Sequence, residues 1–342
     1  MAASPNTAEQ AEAAQVSYED LARLEEEFDD VDVEILRQQY HLTAPLYTKR
    51  AAAIARIPNF WALVLEQAPL EIDQYIQPQD SRIFAESLVN IEVRRPELDE
   101  NGTRGNPRSV SVKMEFRANG DFEDTVLEKH FWHRRAKDGW VGLVSEPVKI
   151  RWKEGKDPTN GLTDGAVALF EARKKQGDMT STDVPEYHAL KQKVESWNGQ
   201  NTSFFTWFGW VSGRRYVSAE ESAAANAQHA EDRAKRQSGD DAEPPPTEAE
   251  IEAADDHDED VEVHQAGEEL VLAVAEELWP NAIKLFTEAQ EEGEMSDAEF
   301  EEEDEESGEE EGMVDLRELV GKGGRVVSAG SVERPPSKKQ KR

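Results

Sequence analysis

Between residues 17 and 57, apolar positions recur at alternating spacings of three and four. The six positions that define this seam are Leu21, Leu24, Phe28, Val31, Ile35 and Leu42. The spacing predicts an amphipathic helix of about 40 residues, about 60 Å long at 1.5 Å per residue. Pro45 removes one hydrogen-bond donor, so we expect a kink there. So narrow a seam on so long a helix favours pairing with the same helix of a second copy. Packing of the helix on its own domain is the alternative.

A different period follows the helix. In residues 110–116, Val, Val, Met and Phe alternate with Ser, Lys and Glu, the period of two of a half-buried strand. Residues 88–93, 126–133 and 148–152 also have strand composition, and Asn119-Gly120 supplies a turn. A four-stranded meander with one polar face needs helices against its other face, which predicts an α+β fold.

Three further segments are predicted to complete this domain. Residues 204–210 place five aromatic side chains in seven positions, too apolar for solvent. Residues 166–175 and 187–197 have short helical patterns. Residues 269–283 present an apolar face that we expect to dock back on the domain.

Two later segments are predicted to be disordered. Residues 217–268 are rich in Ala, Asp and Glu and contain three successive prolines. Residues 288–311 hold 15 acidic and no basic residues in 24 positions, and the repulsion between like charges favours an extended chain.

The chain therefore divides into segments with distinct predicted characters. They are a disordered start (1–16), the long helix (17–57), an α+β domain (58–216) with an insertion (161–200), a disordered acidic insertion (217–268), helices that complete the domain (269–287), a disordered acidic tail (288–334) and a basic end (335–342).

The formal net charge is −34, and most of it lies in the last third of the chain. Residues 1–216 hold 35 acidic and 27 basic residues, whereas residues 217–342 hold 38 and 12. Such a field repels nucleic acid and anionic membranes and attracts basic proteins. The absence of cysteine excludes a disulfide scaffold and a thiolate metal site. No stretch approaches the ~18 apolar residues of a membrane span, so we expect a soluble intracellular protein.

Catalytic motifs are scarce. The sequence contains no GxxxxGK[ST], HExxH or GxSxG pattern. His130 and His133 are three apart on a predicted strand, which places them on opposite faces and argues against a shared metal. We therefore expect a binding protein with no catalytic residue, metal or cofactor.

The acidic tail and the basic end have two interpretations each. The tail is either a solubilising bristle or a polyanion that competes with DNA for a basic protein. The basic end, Lys338, Lys339, Lys341 and Arg342, predicts a nuclear import signal for importin. Its alternative is a segment that folds back on the tail.

Several motifs in one order resemble the nucleosome assembly protein/SET family of histone chaperones, and its SET branch most. They are APLYTKR at 44–50, IARIPNFW at 54–61, IRWKEGKDPT at 150–159, SFFTWF at 203–208 and LWPN at 278–281. The resemblance covers residues 21–286. One departure is Gly209-Trp210, where SET-like proteins continue with Thr-Asp.

The resemblance implies a fold, an assembly and partners. Long helices would join a homodimer through the seam, and each arm would carry an earmuff domain, an antiparallel sheet covered by helices, before the disordered acidic tail. Core histones would bind under the arms and to the tail. The candidate histone-binding residues are Thr206, Glu301, Glu302, Glu303, Asp304, Glu305, Glu306, Glu309, Glu310 and Glu311.

These expectations describe a nuclear histone chaperone that promotes nucleosome assembly and disassembly without binding nucleic acid or membrane directly. The resemblance also implies an alternative role as a regulatory cofactor of a histone acetyltransferase, or as a phosphatase inhibitor. A third interpretation is an acidic scaffold unrelated to histones.

Overall fold

The computed structural model describes residues 18–99, 101–197, 202–238, 246, 248–253 and 259–303. Its helices and strands, in chain order, are α1 (Tyr18–Ile54), α2 (Phe60–Glu66), α3 (Leu70–Asp73), α4 (Pro78–Ser87), β1 (Leu88–Arg94), β2 (Val110–Phe116), β3 (Val126–Arg135), β4 (Val141–Ser145), α5 (Leu162–Gln176), α6 (Pro185–Ser196), α7 (Ala219–Ser238), α8 (Glu248–Ala253), α9 (Gly267–Leu272) and α10 (Ala282–Glu303). A 3-10 turn at Phe204–Gly209, here called the aromatic turn, precedes α7, and a π-helical turn at Ala273–Leu278 follows α9.

The long helix predicted for residues 17–57 is α1, with 37 residues. It continues through Pro45 and ends at Ile54, three residues before the predicted end. Asn59, with a φ of 53°, then redirects the chain into α2, whose first six residues are all buried. The long helix therefore leads directly into the core.

The four strands form one antiparallel sheet in the order β1-β2-β3-β4. The sheet and its covering helices confirm the predicted α+β class. The prediction that residues 148–152 form the fourth strand is wrong. The fourth strand is β4, which a hairpin turn ending at Gly139 (φ 92°) connects to β3. Asp138-Gly139 is a strong hairpin signal that the strand prediction overlooked.

The apolar side chains within residues 148–152 have another role. The backbone N–H of Val148 donates to the carbonyl of Phe208 at 2.8 Å, and the Trp152 ring lies edge-on to Phe122 and Phe205. The segment therefore packs on the aromatic turn and makes one isolated bridge, from Trp152 to Phe122, in place of a ladder.

The main core lies between the inner face of the sheet and the aromatic turn, α2, α4, α9 and the π-helical turn. Its largest fully buried aromatic side chains are Phe84, Phe122, Phe131, Phe204, Phe205, Trp207, Phe208 and Trp210. As predicted, the aromatic segment is internal. The insertion at 161–200 supplies α5 and α6, which form a smaller core with Val261 and Val263.

The segment predicted as a disordered acidic insertion, 217–268, differs from that expectation over much of its length. It contains α7, a 20-residue helix that packs against β3, and further on the buried residues Val261, Val263 and His264. The alanine-rich composition that entered the prediction of disorder also favours a helix. The hydroxyl of Ser218 accepts a hydrogen bond from the N–H of Glu221 at 3.1 Å and caps the start of α7.

The first part of the segment predicted as a disordered acidic tail is helical. Helix α10 extends through Glu303, so residues 288–303 are helical. Its first turns pack on α2, where the Phe286 and Phe60 rings stack 4.8 Å apart. Because glutamate is a good helix former, a helix nucleated by this packing continues into the acidic sequence.

Candidate functional site

One face of α1 presents a continuous apolar surface to solvent. All six predicted seam residues lie on it, with side chains between 44% and 71% exposed, Phe28 the most. Leu46, at 57%, extends the row by one turn. An exposed row of this length is rare on a monomer and marks an interaction surface. We call it the α1 seam.

The opposite face of α1 is docked on the domain. Glu26 lies about 200° around the helix from Phe28 at 100° per residue, and Arg37 about 180°. Arg37 donates to the carbonyl of Gly105 at 3.1 Å, and Arg108 pairs with both carboxylate oxygens of Asp29. The hydrogen bonds from Arg108 lower the pKa of Asp29. These contacts turn the seam away from the domain.

Arg50 fixes the other end of α1. Its guanidinium lies 4.7 Å from the Tyr47 ring and 4.5 Å from the Trp279 ring, and it donates to the carbonyls of Trp279 and Pro280. Burial lowers the pKa of Arg50 to about 10. The indole N–H of Trp279 donates to Ile91 in the edge strand β1 at 3.1 Å. The start of α10 is thereby tied to both α1 and the sheet.

Thr206, the candidate histone contact, is buried. Its side chain is 1% exposed, and its hydroxyl donates to the carbonyl of Ser203 at 2.8 Å. The aromatic turn around it is anchored by Asp80, whose carboxylate accepts from the Ser203 hydroxyl at 2.7 Å and the Phe204 N–H at 2.8 Å. In this structure Thr206 shapes the core and offers no side-chain surface to a partner.

Only three of the acidic candidate residues for histone binding lie within the described part of the chain. Glu301, Glu302 and Glu303 form the last residues of α10. The other acidic candidates, Asp304, Glu305, Glu306, Glu309, Glu310 and Glu311, lie outside the described residues, as does the basic cluster Lys338, Lys339, Lys341 and Arg342. On α1, Glu25, Glu27, Asp32 and Glu34 are exposed.

The described residues form neither a metal site nor a membrane span. That part of the chain contains no cluster of three or more His, Asp or Glu side chains placed to hold a metal, and none of its helices is long and apolar enough to cross a membrane. His133 lies 3.0 Å from the Asn106 side-chain nitrogen, and burial lowers its pKa to about 4. His130 instead stacks on Trp132, 5.2 Å away.

Sequence reasoning missed two features that shape these surfaces. One is α7, whose arginines reach the acidic start of α1. The other is Lys129, which the strand alternation of Leu127 and Phe131 places on the inner face. The alternation was a usable signal for Lys129. The contacts of α7 join residues about 200 positions apart, and no local pattern encodes them.

Comparisons with known proteins give a family match, relatives and similar solved structures. A family model described as Nucleosome assembly protein (NAP) matches residues 9–289. A protein of Schizosaccharomyces pombe named as a nucleosome assembly protein is 30% identical over 289 residues, covering 81% of this chain and 82% of that protein. Vacuolar protein sorting-associated protein 75 of Saccharomyces cerevisiae is 31% identical over 143 residues, 41% of this chain and 53% of that protein. Among solved structures, Ccp1 is 29% identical with a TM-score of 0.45, covering 80% of this chain and 95% of that one.

Proposed function

This chain belongs to the nucleosome assembly protein (NAP) family, and on that premise we propose that it is a histone chaperone. It binds core histones, screens them from unproductive contact with DNA, and releases them where DNA competes better. The observation that carries the proposal is the family match over residues 9–289. The net charge of −34 supports it, because basic proteins are the partners that such a field attracts.

The working form is a homodimer joined through the α1 seam. Two seams, brought together, remove from water the apolar side chains that one chain leaves exposed. Each buried side chain of this size contributes roughly 1.5–3 kcal/mol. The contacts of Arg37 on the opposite face and of Asp29 on the flank with the domain support this assignment, since they leave the seam as the outward side of α1.

Histones are held by two acidic elements. The first is the domain with the exposed carboxylates of α1, and the second is the stretch from Glu301 to Glu311, whose first three residues end α10. Thr206 acts only indirectly, by packing the aromatic turn. Binding by a polyanion follows the physics of counterion exchange, so affinity falls as salt rises.

A nuclear role follows from the family, and the basic end is the proposed import signal. Lys338, Lys339, Lys341 and Arg342 place four positive charges in the last five positions. Such a run suits the acidic groove of an importin.

The decisive experiment is a titration of the full-length protein with recombinant core histones over a salt series, followed by competition with DNA. We expect tight binding at physiological salt and transfer of the histones to DNA as nucleosomes. Absence of binding at physiological salt contradicts the proposal. A chain in which the acidic residues of 301–311 become amides separates the two elements, because the domain retains part of the affinity.

A further inference from the structure

The acidic start of α1 already has a basic ligand, and it is part of the same chain. Arg233 of α7 contacts Asp30 at 2.6 Å and Glu26 at 3.2 Å. Arg236 contacts Glu26 at 3.0 Å, and the His229 ring lies 3.5 Å from the same carboxylate. Two arginines and a histidine from the C-terminal half of α7 thus contact Glu26 and Asp30 in the acidic start of α1.

The N-terminal half of α7 is held separately, on β3. The hydroxyl of Ser222 accepts the backbone N–H of Arg135 at 3.0 Å, and Asn226 accepts from the Arg135 side chain at 3.3 Å. Ala225 is buried in the same contact. The helix can therefore stay attached to the sheet while its C-terminal half exchanges partners.

The contact with α1 is of a kind that exchanges readily. The side chains of Arg233, Arg236 and Glu26 are 20–25% exposed, and that of Asp30 is 62% exposed. Ion pairs that solvent and salt reach contribute little net stability, and they are screened at physiological ionic strength. No apolar cluster of the described residues joins α7 to α1.

We propose that α7 is an internal competitor for the acidic start of α1, occupying with Arg233 and Arg236 the carboxylates that an arginine-rich basic partner takes when it binds. This inference rests on the proposed histone-chaperone function for the identity of the partner. Glu26 and Asp30 already bind arginine side chains in this structure. The two N–H groups of a guanidinium fit the two oxygens of a carboxylate. The partner displaces the last two turns of α7, and the small cost of that displacement lowers the affinity and disfavours weakly basic proteins.

The test compares the full-length protein with its R233A/R236A variant in binding core histones at physiological salt. We expect the variant to bind about fivefold more tightly, since the partly exposed ion pairs of Arg233 and Arg236 with α1 no longer have to be broken. The control is K174A/K235A, which also removes two positive charges. Lys174 pairs with Glu146 and Lys235 with Asp232 on α7 itself, and neither contacts α1. Equal affinity of variant and wild type, weaker binding, or an equal gain in the control overturns the inference.

A second readout separates this inference from the proposed function. Hydrogen–deuterium exchange of α7 amides is followed as the wild-type protein is titrated with an oligoarginine peptide, which needs no histone. We expect exchange to rise in the last two turns, near Arg233 and Arg236, and to stay constant around Ser222. Constant exchange throughout α7 overturns internal competition even if histones bind. Failure of histones to bind the wild type, with exchange rising in the peptide titration, contradicts the proposed function alone.

Discussion

The ammonium nitrogen of Lys129 lies 2.7 Å from the carbonyl oxygen of Trp210, deep in the core between β3 and the aromatic turn. The carbonyls of Phe208 and Glu146 are each 3.1 Å from the same nitrogen. Burial lowers the pKa of Lys129 well below its usual value. The side chain of Lys129 therefore joins β3 to the chain just after β4, at Glu146, and to the end of the aromatic turn, at Phe208 and Trp210.

Replacing Lys129 by Met should destabilise the fold. The thioether chain fills similar space, but the carbonyls of Trp210, Phe208 and Glu146 each lose one hydrogen bond, at roughly 1 kcal/mol each. We expect the free energy of unfolding in urea to fall by about 2–3 kcal/mol. The control is K113M on β2, whose ammonium lies on the outer face against Glu115, and it should change stability little. Equal stability of K129M and wild type would show that these carbonyls find other donors.

The α1 seam predicts the oligomeric state. Changing Phe28 to Glu places a charge in the centre of the proposed dimer interface, where its burial without a partner is costly. Light scattering should report a mass of twice 38.5 kDa for the wild type and 38.5 kDa for F28E. The matched control is L70E, since Leu70 on α3 is 72% exposed but lies off the seam. A dimeric F28E would place the interface elsewhere.

His264 predicts a pH dependence of stability. Its ring is fully buried 4.6 Å from Tyr75, and neither ring nitrogen has a hydrogen-bond partner within the described part of the chain. Burial lowers the pKa of His264 to about 3. In the unfolded chain the His264 imidazole has a pKa near 6.5 and binds a proton that it does not bind in the folded chain. Stability is therefore lost as pH falls below about 6.5. At pH 5 this loss is roughly 2 kcal/mol.

Glu262 contributes a pH dependence of stability with the opposite sign, so the experiment must separate the two residues. Burial raises its pKa to about 7, so the folded chain holds a proton there that the unfolded chain releases, and acidification towards pH 4.5 stabilises the fold. The expected result is therefore a difference between two proteins. From pH 7 to pH 5, H264F, which keeps a ring against Tyr75, should lose ~2 kcal/mol less than the wild type. Parallel pH curves in urea unfolding would contradict the assignment, and H130F, at a partly exposed ring, is the control.

The features that sequence predicted are those that local pattern encodes. The spacing of Phe28 and the other apolar positions of α1 predicts the seam, and the alternation in Val110–Phe116 predicts a strand. The contacts that remained hidden are tertiary. Arg236 meets Glu26 across 210 positions, and Lys129 meets Trp210 across 81. Thr206 shows the same limit at the candidate site, because a motif match gives a position but not its burial.

The acidic tail provides a prediction in which charge is changed and length is kept. Replacing Asp304, Glu305, Glu306, Glu309, Glu310 and Glu311 by their amides removes six charges beyond the end of α10. On the proposal that the tail acts as a polyanion, we expect histone affinity at low salt to weaken by about tenfold and the dependence of affinity on salt to become shallower. A second chain, with residues 304–311 in scrambled order, retains every charge and should bind like the wild type. Unchanged affinity in the amide variant would reduce the tail to a solubilising segment, whereas weakened binding in the scrambled chain would mean that its order is read.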